Sequence, residues 1–276
     1  MSSVLEKALA LVERLAEQPG GLSISALAAA TDQPASGVHR TLQELARLGY
    51  VRQHQTGGDY GLTIKLPAMG LTFLGRSGIT DVAQPVLAAL AAECRELVRL
   101  SVIDGEDLVW VAVAQGATGG LRYDPGQEQG VVVHLASSAG GRAWLSTLSD
   151  EDALLKVGVQ GLVRQAEGQG YNASQSLPLL LKQLTEARSR GYATAVDSYI
   201  AGMAAMAVPV RGPFGGPVLG CLSIAGPAVR MTAERMDELA PRLRQAAEDL
   251  GAAAAGSRML RANARTPDET ARRARR

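Results

Sequence analysis

Aromatic side chains are nearly missing from this chain: two Trp, six Tyr and two Phe among 276 residues. Alanine and aliphatic residues must therefore fill most of any core. Cysteine is equally scarce, with only Cys94 and Cys221, far apart in apolar contexts. They read as buried free thiols of a reducing compartment, not as a disulfide framework. Three histidines, His39, His54 and His134, are too dispersed for a local metal cluster, and no C-x-x-C occurs. No metal and no cofactor are expected. No apolar run approaches the roughly 18 residues of a membrane span. The opening segment carries Glu6, Glu13 and Glu17, which does not suit a signal peptide. A net charge of +1 announces neither a nucleic-acid nor a membrane partner. What is present, 46% apolar and 20% charged residues, excludes disorder of the whole chain. The expectation is a soluble cytoplasmic protein without a membrane partner.

Residues 4–62 read as a compact α-rich unit. Val4, Leu5, Ala8, Leu11, Val12 and Leu15 recur at helical spacing, and Pro19-Gly20-Gly21 ends that helix. A short helix from about Ser25 to Thr31 follows, with Ser23 or Ser25 as N-cap. Pro34 occupies the place of a first helical residue, and a third helix runs to Leu48 and stops at Gly49. Tyr50–His54, Thr56–Asp59 and Tyr60–Leu62 read as strand, turn and strand. Three helices closed by a β-hairpin make a winged helix-turn-helix over residues 1–64.

Residues 65–80 read as a linker helix, and 81–256 as a second domain opened by an amphipathic helix after Pro85. Strands are expected at Leu97–Asp104, Asp107–Gln115, Ala193–Asp197, Ala204–Gly212 and Pro217–Gly226. Helices are expected at Ser138–Leu148, Gln175–Arg190 and Thr232–Ala255. Asp104–Asp107 and Pro213–Pro217 have hairpin-turn composition. The fold class is α+β: a winged helix-turn-helix, a linker helix, and an antiparallel sheet flanked by helices. Residues 257–276 read as a basic disordered tail, with seven Arg against Asp268 and Glu269 from Arg258 onward.

On the third helix Val38, Leu42 and Leu45 mark the buried stripe. Ser36, Arg40, Gln43 and Arg47 step by four, three and four on the opposite side, beside His39. Those side chains supply donors for base edges and phosphates: Arg forks onto guanine, Gln onto adenine, and Ser reaches a phosphate. Placed in the first turns of a recognition helix, they suit the major groove. The candidate contacts to double-stranded DNA are Ser36, Gly37, His39, Arg40, Gln43, Arg47 and Arg52. Against this, five basic and six acidic residues leave 1–62 at net −1. Modest affinity per protomer and dimeric binding across two half-sites are therefore expected.

From about Val4 to Thr232 the sequence resembles the IclR family of transcriptional regulators. The resemblance rests on Leu5–Leu9, Leu27-Ala28, Ser36–Leu42, Leu48–Val51 and Tyr60–Leu62, then on Asp81–Leu87, Ser138–Leu145 and Arg190–Ala193. Gly202, Pro209-Val210 and Leu222–Pro227 complete it. It implies a winged helix joined by a linker helix to a GAF-like effector domain. It also implies a homodimer or homotetramer and regulation by a small organic ligand. Departures from the family pattern are visible. Ser36-Gly37 replaces a Ser-Thr pair, which removes a hydroxyl and weakens the helix by about 0.5–1 kcal/mol relative to Ala. An acidic pair is reduced to Asp197-Ser198, a usual Cys is Ala205, and His134 stands two residues early.

In a GAF-like domain the ligand would sit between the sheet and the small-residue loop 135–141, whose N–H groups precede a helix N-terminus. Candidate effector contacts are Leu121, Ser138, Ala139, Gly140, Ala195, Met203, Ala205, Ser223 and Ala225, with Tyr123, Trp110 and Met206 as further lining. Alanine at 195, 205 and 225, where relatives sensing keto acids carry polar residues, implies a roomier and less polar pocket. The expected effector is an aromatic or medium-chain acid or its derivative. Two other readings compete. The second domain could be an oligomerisation scaffold without effector. A nucleophilic enzyme is disfavoured, because no G-x-S-x-G elbow is present and His134 and Ser137 would face opposite sides of a strand.

Overall fold

A computed structural model describes residues 3–55, 57–123, 128–163, 170, 172–173 and 176–264. The chain divides into two compact units, 1–76 and 77–276.

The first unit begins with α1 (Val4–Ala16), whose N-cap Ser3 forms a capping box with Glu6. Next come α2 (Ile24–Thr31), capped by Ser23, and α3 (Ala35–Arg47). Pro34 is the N-cap of α3 and not its first helical residue; its fixed φ serves the extended approach as well as the first turn. Helix α3 ends where Gly49 takes φ of +78°, and Lys65 Nζ meets the Leu48 carbonyl at 2.7 Å. The wing is β1 (Val51–Gln53) antiparallel to β2 (Tyr60–Leu62). A bridge from Leu22 to Tyr60 adds a third segment to the wing that local periodicity does not reveal. Leu11, Leu15, Leu27, Val38, Leu42, Val51 and Tyr60 form the core, with Leu45 half-buried at its margin. Helix α4 (Lys65–Ser77) follows.

In the second unit α5 (Ile79–Cys94) precedes the hairpin β3 (Leu97–Asp104) and β4 (Asp107–Gln115). Helices α6 (Ala139–Leu145), α7 (Asp150–Gln160) and α8 (Leu177–Arg190) come next. The chain then forms β5 (Ala193–Val196), β6 (Met203–Arg211), β7 (Val218–Pro227), α9 (Ala233–Ala253) and α10 (Arg258–Ala264). The five strands run β4-β3-β7-β6-β5, antiparallel throughout. Strand β7 lies at the centre and is buried on both faces, whereas edge strand β4 alternates. Helices α5 and α9 cover one face; α6 and α8 cover the other. The core beneath α6 is alanine-rich, with Ala139, Ala143, Ala195 and Ala207 around Trp110 and Trp144, as the shortage of aromatics requires.

Two expectations need correction here. The tail is not featureless from Arg258: α10 forms because Leu260 buries its side chain, while Ser257 Oγ donates to the Ser77 carbonyl at 3.0 Å. The remainder of the expected tail, 265–276, lies outside the described residues. Nor do His134 and Ser137 face opposite sides. The segment 134–137 is a turn, and His134 Nδ1 lies 2.8 Å from Ser137 Oγ.

Both cysteines are buried free thiols, and burial pushes each thiol above its ordinary range. Folding therefore keeps them protonated, a contribution that is full below the unfolded thiol range and fades as pH rises above it. The native chain should leave an aromatic disulfide reagent unreacted at pH 8 over minutes and release two equivalents once denatured. Rapid labelling of the native chain would contradict this burial.

Candidate nucleic-acid interface and effector cavity

Helix α3 is amphipathic because Val38 and Leu42 repeat every four residues. That burial turns Ser36, His39, Arg40, Gln43 and Arg47 out to solvent, and Arg52 is exposed on β1. Arg40 and Gln43 make no hydrogen bond or ion pair among the described residues, so both are free to meet a ligand. Arg47 is different: its Nε and Nη2 donate to Glu44 at 3.0 and 2.9 Å. Gly37 has open space where a Cβ would stand, so neither packing nor backbone conformation requires glycine there.

In the second unit a cavity lies between the sheet and the start of α6. Arg99, Tyr123, Ser138, Ala139, Ala195, Tyr199, Ile200, Met203, Ala204, Ala205 and Ala225 line it. Six expected contacts are therefore brought together: Ser138, Ala139, Ala195, Met203, Ala205 and Ala225. Three are not. Leu121 is exposed, and its carbonyl accepts from Arg230 at 2.8 Å. Gly140 faces Ser101, Leu108 and Cys221. Ser223 is buried with Oγ directed at the Arg99 carbonyl. Met206 is buried in the sheet and Trp110 lies behind the cavity wall.

The cavity is not roomy, although its lining is mostly apolar apart from Arg99. It holds about 30 Å³, the share of a single water. The space left by the alanines is taken by larger groups. Tyr199 stands edge-on to Trp110 with ring centroids 5.5 Å apart, and the Arg99 guanidinium lies 4.7 Å over the Trp110 ring. The turn that carries Tyr199 is shaped by Asp197, whose carboxylate accepts from the Gly202 N–H at 2.6 Å.

Arg142 secures the same turn from behind. Buried almost completely, it donates to the carbonyls of Ala136 and Thr194 and to Ser198 Oγ at 2.8, 2.9 and 2.8 Å. Burial alone lowers its pKa to about 10, so it stays charged at neutral pH. Asp197-Ser198 thus has structural tasks in place of the family's acidic pair. The expected anion site at the loop N–H groups is largely spent on the protein itself. Gly141 N–H donates to the N-cap Ser138 Oγ, Ser137 N–H to His134 Nδ1, and Ser138 N–H to the His134 carbonyl. Helix α6 also has only seven residues.

Sequence reasoning missed Arg99, Tyr199, Ile200 and Glu128. The signal for Arg99 was present: a single cation inside the apolar run Leu97–Val102 demands a partner or a ligand. Its partner is Glu128, with Nη1 and Oε2 2.5 Å apart and both side chains buried. Tyr123 Oη donates to the other carboxylate oxygen at 2.9 Å. Burial, with the Glu128 charge and that bond, holds the phenol well above its usual pKa.

The helix-turn-helix model named for IclR matches residues 4–55, and the bacterial transcriptional regulator IclR C-terminal model matches 71–252. The acetate operon repressor of Salmonella typhimurium is 29% identical over 259 residues, covering 92% of this chain and 90% of that protein. A transcriptional regulator from Rhodococcus sp. RHA1 is similar in structure at TM-score 0.69 and 25% identity, over 91% of this chain and 97% of that one. An IclR homologue from Microbacterium hydrocarbonoxydans, crystallised with 4-hydroxybenzoate, shares the fold at TM-score 0.65 and 21% identity, over 92% and 99% of the two chains.

Proposed function

The chain belongs to the IclR family of bacterial transcriptional regulators, and from that premise we propose that it is a cytoplasmic, effector-controlled repressor. It binds an operator as a homodimer or homotetramer and answers to a small organic acid, aromatic acids foremost. It is a DNA-binding regulator and not an enzyme. The observation that carries the DNA side is the solvent face of α3, where Arg40 and Gln43 stand unengaged one helical turn apart. Ser36, Gly37, His39, Arg47 and Arg52 flank them as the proposed backbone-contacting set. Supporting the effector side are the cavity under α6, with its single cation and apolar remainder, and a relative that holds 4-hydroxybenzoate. Among the described residues no helix is long and apolar enough to cross a membrane.

The test is binding of the full chain to the duplex upstream of its own gene, under excess competitor DNA, with and without aromatic and keto acids. We expect a specific complex that an aromatic acid weakens at least tenfold. A complex that ignores every acid would make the second domain an oligomerisation scaffold. Binding that shows no preference over competitor would overturn the operator reading.

A further inference from the structure

The Arg99–Glu128 pair is an unusual thing to place on a ligand cavity. Arg99 sits in mid-strand on β3, buried, with its guanidinium on the cavity wall and over Trp110. Its Nε is buried and has no hydrogen-bond partner among the described residues. Glu128 comes from a distant part of the chain and reaches Arg99 with one oxygen, while Tyr123 Oη holds the other. A guanidinium has five donors arranged to grip a carboxylate with two parallel bonds. Here it is gripped from one side only.

We propose that Glu128 is a resident stand-in for the effector's carboxylate, and that an organic acid enters the cavity by taking its place on Arg99. This rests on the effector reading given above and names the recognition chemistry of that site. Three observations support it. First, the cavity has room for about one water, so any organic effector must displace a group, and Glu128 is the charged group in contact with the cation. Second, exchanging one carboxylate for another leaves the buried charge balance unchanged. The cost of desolvating Arg99 is already offset in the ligand-free protein, whereas a neutral amide or alcohol would strand the guanidinium without a counter-ion. Third, Arg99 does not depend on Glu128 alone for position, because the Trp110 ring lies beneath it. The vacant Nε allows an incoming carboxylate the two-pronged contact that Glu128 does not make. The apolar body of the acid then lies against Ala195, Ala205, Ala225, Met203 and Ile200. Released Glu128 enters water as an extra exposed charge, which gives the domain two electrostatically distinct states.

The experiment uses benzoate and benzamide as paired probes on the full chain, followed by thermal melting and calorimetric titration. Glu128→Gln keeps a polar group beside Arg99 but removes the competing charge, and should bind benzoate at least tenfold more tightly than the unaltered chain. Tyr123→Phe, which loosens Glu128 without touching the ion pair, should shift affinity in the same direction by a smaller factor. The double variant Arg99→Gln/Glu128→Gln should lose the benzoate response, and benzamide should be inert throughout. The proposal is overturned if benzoate fails to bind the folded Glu128→Gln and Tyr123→Phe chains. It is equally overturned if the double variant responds as well, or if benzamide matches benzoate. Its fate is separable from that of the effector reading. Acids that release DNA from the unaltered and Arg99-altered chains alike would sink the exchange and leave effector control standing. A tenfold gain in Glu128→Gln, with DNA binding indifferent to every acid, would keep the carboxylate site and remove its regulatory role.

Discussion

Replacing Arg40 by alanine should weaken specific DNA binding by about 1–3 kcal/mol per half-site, roughly five- to 150-fold, without loss of folded protein. The side chain is exposed on α3 and engages no other described residue, so its removal exposes no cavity and breaks no native bond. A dimer spanning two half-sites suffers the loss twice. Gln43→Ala should act in the same direction but only on sequences with adenine at the matching position. Arg47→Ala should cost much less, because Glu44 already takes its guanidinium at 2.9 Å and an exposed pair of this kind contributes little. Glu44→Gln should then strengthen binding by releasing Arg47 and removing a charge that phosphates repel. Fluorescence anisotropy at several salt concentrations separates the roles. A base contact relaxes sequence preference, whereas a phosphate contact lowers affinity uniformly and flattens the salt slope by about one. An Arg40→Ala chain with unchanged operator affinity would show that α3 does not read DNA with this face. Gly37→Ala is the companion control. With open space at its Cβ, it should add about 0.5–1 kcal/mol of helix stability and leave the complex intact.

The winged helix is legible in the sequence because each signal there is local: a capping Ser, a four-residue apolar step, a glycine stop, a turn-rich hairpin. The rung from Leu22 to Tyr60 is not, since it joins residues 38 positions apart that share no periodicity. The sheet of the second unit follows the same logic. Strands β3 and β7 are plain apolar runs, yet nothing local places them side by side. Helix α7 went unforeseen because its half-exposed face carries three acids in its first turn and little apolar repeat. The effector cavity shows the limit most clearly. Alanine at 195, 205 and 225 implies empty space only until the neighbours that fill it are known, and two of those neighbours are distant in the chain. Tyr199 lies four residues after Ala195, whereas Arg99 and Glu128 arrive from 96 and 67 residues before it. A strand read as apolar hid the most informative residue in it, since one cation among four apolar neighbours barely alters a hydropathy pattern.

Gly141→Ala should be among the most damaging single-methyl additions in the molecule, costing about 3–5 kcal/mol, while Gly140→Ala next to it should be neutral or stabilising. A Cβ on Gly141 would stand 2.3 Å from Leu135 Cα and 2.4 Å from its carbonyl oxygen. Backbone cannot yield as a flexible side chain does, so the turn 135–138 would have to part from α6, taking with it the Arg142 bond to Ala136. On Gly140 the new methyl meets Ser101 Oγ, Leu108 Cδ2 and Cys221 Cβ at 3.7, 3.8 and 3.9 Å, ordinary contact distances. Losing a flexible helical glycine there should contribute up to about 0.5–1 kcal/mol. Both tryptophans, Trp110 and Trp144, lie in the second unit. Their fluorescence during urea unfolding therefore reports that unit alone, which matters in a chain whose two units need not unfold together. The contrast between neighbours decides why this loop is built of small residues. Equal stability of the two variants would show that close packing on Leu135 is not the reason. A Gly140→Ala chain that keeps its stability but loses its response to acids would return that glycine to the ligand. The expected pattern, collapse at 141 and tolerance at 140, makes the loop a packing joint and leaves recognition of the acid to Arg99.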